Sequence, residues 1–146
     1  MDFFNALDIS SSGMSAQQVR INVIASNLAN INTTHTAEGG PYRRKDVVFA
    51  AVPAGTTFRS ELDKRLASSL SAVRVVGVIN DQRRPLLRYD PGNPDADRDG
   101  YVAMPNINTI EEMVNMMSAT RSYEANIASI NATKKMAMKA LEIGGR

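Results

Sequence analysis

Hydrophobic positions repeat at heptad spacing near both ends of this chain and alternate in short runs between them. At the N-terminal end Leu7, Met14, Ile21 and Leu28 recur every seven residues, with Phe3, Ile24 and Ile31 at the companion position. This is the pattern of one helix packing along another. Ser10 and Gln17 occupy two companion positions, so the first half of the seam is weak, and Gly13 lowers helix propensity there. Ser15 and Gln18 have capping-box spacing, which predicts that the continuous helix starts there. It ends near Asn30, where Asn32-Thr33-Thr34 favours side-chain-to-backbone bonding.

A second, stronger helix is predicted from Thr109 to Ile143, roughly 50 Å long at the helical rise per residue. Thr109 and Glu112 form a capping box, Glu111 and Glu112 suit the positive end of the dipole, and Lys134, Lys135 and Lys139 lie toward its negative end. Gly144 is placed to terminate it. Its apolar stripe runs through Ile110, Met113, Val114, Met117, Tyr123, Ile127, Ile130, Ala137 and Leu141.

All 6 prolines fall between positions 41 and 105, so helix is confined to the two ends. The middle reads as β. Asp46–Val52 and Val73–Ile79 are β-branched runs bounded by turn residues, and Leu86–Tyr89 and Tyr101–Met104 are shorter strands. Residues 54–70 form a loop in which Leu62, Leu66 and Leu70 suggest one helical turn, and Gly39-Gly40-Pro41 is a hinge. The expected fold is α+β: long N- and C-terminal helices in a coiled-coil-like bundle, with a small β-rich middle segment. The division is 1–35 and 106–146 for the two halves of an assembly domain, and 36–105 for the middle.

Composition narrows the function. Net charge is +2, far from the basic excess of a nucleic-acid binder. With no cysteine there are no disulfides or thiolate metal sites. Met1-Asp2-Phe3-Phe4-Asn5 lacks a secretory signal's basic start, and no run approaches the roughly 18 apolar residues of a membrane span. Aromatics are 5% with no Trp, so a large monomeric core is not expected and a partner is.

Asp95, Asp97, Asp99 and Gly100 match the first half of a calcium loop, but Asn106 stands where a closing Glu belongs, and an acidic turn explains them better. His35 is the only histidine and has no carboxylate at helical spacing. Arg43-Arg44-Lys45 and Arg83-Arg84 read as solvated or subunit-contact faces. The expectation is therefore no catalytic residue, metal, cofactor, small-molecule substrate, nucleic acid or membrane insertion. A calcium-binding module and a nucleic-acid-binding module are the alternatives. Only Asp2, Asp8 and Arg20 are charged in the first 35 residues, so that helix is meant to be covered. The candidate interface residues are Leu7, Met14, Ile21, Ile24, Asn27, Leu28 and Asn30 at one end, with Met113, Met117, Tyr123, Asn126, Ile127, Ile130 and Leu141 at the other.

Ser26-Asn27-Leu28-Ala29-Asn30-Ile31-Asn32-Thr33-Thr34 resembles the signature closing the N-terminal helix of the bacterial flagellar axial proteins. Glu112–Met117 and Arg121–Asn126 resemble that family's C-terminal helix, while Gly39–Phe49 and Tyr89–Asp97 are similar to one of its rod subunits. The resemblance covers essentially the whole chain. It implies a structural subunit of the torque-carrying rod in the periplasm, exported through the flagellar export apparatus without a cleaved secretory signal. Its implied partners are other copies of itself and other flagellar rod proteins.

Overall fold

The computed structural model describes residues 3–53 and 71–144. Helix α1 spans Phe3–Ala29 and helix α2 spans Thr109–Gly144. Between them lie β1 (Lys45–Pro53), β2 (Ser71–Asn80), β3 (Leu86–Tyr89) and β4 (Tyr101–Met104). The architecture is the α+β arrangement read from the sequence. The predicted helical turn at 54–70 lies outside the described residues.

Helix α1 is continuous from Phe3, so Ser15 sits mid-helix rather than at a cap. Gly13 interrupts nothing, because it serves packing: a Cβ there would stand 3.0 Å from Asn126 Nδ2 on α2. Nearby, the Ser10 and Ser129 hydroxyls share a hydrogen bond of 3.3 Å, and at the far end Asn27 Nδ2 donates to Glu112 Oε2 at 2.9 Å. In each facing pair the residue numbers add to 139, so the helices run antiparallel without a register slip.

The row that closes this seam is not the predicted apolar one. Buried on α1 are Ser10, Ala16, Ile24 and Asn27, and on α2 Glu112, Ala119 and Thr133. Glu112, Ala119, Asn126 and Thr133 form a heptad of small and polar residues, whereas Leu7, Met14, Ile21 and Leu28 are half-buried. The reason is that α1 is shared between two partners: among the described elements it contacts α2, β1 and β2, while α2 contacts α1 alone. Small side chains let the helices approach closely, and the apolar row of α1 is divided between them and the strands.

Strands β1 and β2 form an antiparallel ribbon, with a bulge between the Val48–Gly77 and Phe49–Val75 pairs that leaves Val76 unpaired and exposed. The Val73 N–H donates to Ser12 Oγ at 3.1 Å, seating β2 along α1. Strands β3 and β4 pair from Leu86–Met104 to Tyr89–Tyr101. Their loop is closed by the Asp97 carboxylate, which accepts from the Asp99 and Tyr101 N–H groups, and Thr34 Oγ1 donates to Asp95. Gly100 turns at φ +81°, where a side chain would also meet the Tyr89 ring. The acidic turn thus has contacts within the chain that the sequence did not suggest.

Gly39 and Gly40 are both left-handed, but they close a turn rather than a hinge: the Thr36 N–H donates to the Gly40 carbonyl, and the Gly39 N–H to that of Thr36. At the start of α2 the cap is Asn108, not Thr109. Asn108 Oδ1 accepts from the Ile110 and Glu111 N–H groups, so Glu112 is released from the predicted capping box. At the other end Gly144 is the last residue of α2.

Candidate assembly interface

Three separate parts of the chain meet at one buried polar joint, and it begins in the last turns of α1. Asn30 Nδ2 donates back to the Ser26 carbonyl at 2.8 Å, ending the helix, and the Tyr42 N–H donates to the Thr33 carbonyl, returning the chain beside it. Asn27, 0% exposed, then faces the start of β1. Its Nδ2 donates to the Lys45 carbonyl at 2.8 Å while its Oδ1 accepts the Lys45 N–H at 2.9 Å. The side-chain amide thus pairs with Lys45 as a neighbouring strand would.

The same Oδ1 accepts the Tyr42 hydroxyl at 3.2 Å, and the second Nδ2 hydrogen goes to Glu112. Asn27 therefore uses its full hydrogen-bonding capacity. Glu112, 1% exposed, accepts from Asn27 on Oε2 and from Arg44 Nε on Oε1 at 2.8 Å. Burial works against the Arg44 charge, but the Glu112 hydrogen bond and charge, followed by those of Asp46, outweigh it. They hold the guanidinium above its ordinary pKa range. The Arg44 carbonyl accepts the Asp81 N–H, fastening the end of β2 to the same point. Asp81 is itself held below the usual carboxylate range by the side chain and N–H of Arg83.

Arg44 and Glu112 are the residues that sequence reasoning misplaced. Arg44 was grouped with a solvated basic run and Glu112 with a cap. The usable signal was the seven-residue spacing of Glu112, Ala119, Asn126 and Thr133, which marks the row of α2 that faces α1.

The sequence-derived interface residues separate into two groups. Ile24 and Asn27 are buried within the chain, and Leu7, Met14, Ile21, Leu28, Asn30, Tyr123, Asn126 and Ile130 are half-buried. Met113, Met117, Ile127 and Leu141 are exposed. With Ile110 and Val114, which are also exposed, Met113 and Met117 make a stripe on the side of α2 turned away from α1. A cleft of about 270 Å³ beside the joint is lined by Arg20, Arg44, Asp46 and Glu111 among others, with neither His nor Ser on its wall. Among the described residues no helix is long and apolar enough to cross a membrane.

The polar joint is spent on internal hydrogen bonding beside an exposed apolar helix face, an arrangement suited to a structural protein. The comparisons with known proteins give that class its identity. A family model described as flagella basal body rod protein matches residues 7–34, and one described as flagellar basal body rod FlgEFG protein C-terminal matches residues 98–143. The chain is 45% identical to flagellar basal-body rod protein FlgC of Bacillus subtilis, with 99% of each chain covered. It is 44% identical to the FlgC of Salmonella typhimurium, again over 99% of each, and 41% identical to that of Borreliella burgdorferi over 98% of each. The chain belongs to the flagellar basal-body rod protein family and is a structural rod subunit, not an enzyme.

Proposed function

We propose that this subunit joins copies of itself and other rod proteins through its terminal helices, building the tubular shaft that carries torque across the periplasm. In this reading the chain reaches its site through the flagellar export apparatus, without a cleaved secretory signal. The two helices and their joint are the assembly domain, and the β-rich middle braces α1 from the other side. The observation that carries the reading is the division of labour on α2. One face holds the chain's own fold, while Ile110, Met113, Val114 and Met117 lie uncovered on the other.

Burying an aliphatic side chain contributes on the order of 1.5–3 kcal/mol, so a stripe repeated at every subunit contact supplies ample assembly energy. The test is Val114→Asp. Because Val114 is 54% exposed, the monomer's helicity and Tm should be unchanged, while incorporation into basal bodies and swimming are lost. Normal swimming on this variant would sink the reading.

A further inference from the structure

A strand paired on one side only presents an outward row of backbone N–H and C=O groups, and folded proteins close such rows off. Three of the four strands here do so with side chains of the same chain. On β1 the Lys45 N–H and carbonyl are taken by Asn27, and the Val47 N–H donates to the Asp46 carboxylate. On β2 the Val73 N–H goes to Ser12 Oγ. On β4 the Tyr101 N–H donates to Asp97 Oδ1, and its carbonyl accepts the Asp97 N–H. Strand β3 has no such closure among the described residues. The Asp90 N–H donates to the Gly100 carbonyl, so position 90 faces β4, and Arg88 and Leu86 follow by the alternation of an antiparallel pair. Leu87 and Tyr89 therefore turn both of their backbone groups outward, and no described residue bonds them there.

The side chains along this edge are not those of a strand left to water. Leu87 and Tyr89 are 69% and 64% exposed and share one face, with Arg88 on the other. The Tyr89 ring is fixed in place: it meets Tyr101 edge-on at 5.3 Å between centroids, and a Cβ on Gly100 would stand 3.0 Å from it. We propose that the β3 edge takes up an extended strand of another protein as the third strand of this sheet, a contact separate from the terminal helices. Leu87 and Tyr89 supply two N–H donors and two carbonyl acceptors to it. The incoming strand carries apolar residues opposite Leu87 and Tyr89 and a carboxylate opposite Arg88. Arg88 spends one nitrogen on Asp90 at 3.3 Å, which leaves most of its fork to receive that carboxylate. A second copy of this chain does not meet the requirement. Antiparallel self-pairing of β3 through Leu87 and Tyr89 sets Arg88 directly against Arg88, and like charges so placed repel.

Amide exchange reads the contact without altering the chain. In the purified protein the Leu87 and Tyr89 N–H groups should exchange fast, and that of Arg88, which faces β4, slowly. In intact basal bodies, exchange across 86–89 followed by mass should slow by about tenfold or more relative to the free chain. Unchanged exchange there overturns the proposal and leaves the rod role intact. The charge is tested in a flagellated bacterium whose own copy is replaced. Arg88→Glu should reduce swimming several-fold with the monomer's Tm unchanged, while Arg88→Lys should swim. Full swimming of the Arg88→Glu strain overturns the acidic partner. If Arg88→Glu lowers Tm, the exchange comparison on the unaltered chain decides alone. The protein has no cysteine, so Arg88→Cys tests for a second copy. Self-pairing would bring two such side chains within about 5 Å and yield a disulfide-linked dimer when basal bodies are oxidised. No dimer is expected, and its appearance would overturn the assignment to another protein.

Discussion

Asn27 matters to α1 beyond its own burial, because removing it takes a shared partner from fully buried Glu112 and from part-buried groups of Lys45 and Tyr42. Asn27→Ala leaves the Lys45 N–H and carbonyl, the Tyr42 hydroxyl and one oxygen of Glu112 without their shared partner. An unsatisfied buried group costs about 1–3 kcal/mol, and Glu112 is the one that water cannot reach, so urea unfolding should report a loss of about 2–3 kcal/mol. Asn27→Asp should be worse at neutral pH, since it cannot donate to Lys45 and sets a second carboxylate against Glu112. Gly13 gives a subtler expectation. In an Asn126→Ala background the crowding partner is gone, so Gly13→Ala should raise stability by about 1 kcal/mol through helix propensity. With Asn126 present the amide must shift by a few tenths of an ångström, and that gain should shrink. Millimolar calcium should leave Tm unchanged, because Asp97 already binds two N–H groups and Asp95 accepts from Thr34. The role of Glu112 was not legible at this scale. Thr-x-x-Glu is a capping pattern wherever it occurs, and it takes Asn27, 85 positions away, and Arg44, 68 away, to hold the carboxylate inward.

Among the described residues, both helices and all four strands were legible, because their periods and turn residues are local properties. Which face of each helix is buried was not. An apolar heptad says that a helix has a partner, but α1 has two, and the closer one is reached through Ser10, Gly13, Ala16 and Asn27 rather than through Leu7 and Met14. On sequence alone, both ends of the isolated monomer would be mobile and the middle protected. With α1 held between α2 and the ribbon, hydrogen exchange should instead be slow across α1 and across α2 from Glu112 to Thr133. It should be fast from Ala137 onward, where α2 faces nothing of α1 among the described residues. Uniformly fast exchange in α1 would mean that the pair forms only on assembly.

Across the whole molecule, the polar contacts that hold the fold and the apolar surface proposed for assembly sit on opposite sides of one helix. Substitutions should therefore separate cleanly: Asn27→Ala lowers monomer stability, whereas Val114→Asp spares it and removes the polymer. The joint also governs the order in which the fold can form. The Asn27–Glu112 link closes a loop of 85 positions and the Ser10–Ser129 contact one of 119. Such distant pairings are slow to find, and a helix like α1 is marginal without its partner. A chain emerging N-terminus first from a ribosome or a narrow pore cannot complete this fold until residue 112 is free to reach residue 27. The segment that locks the rest is α2, so the fold closes only after that helix has emerged.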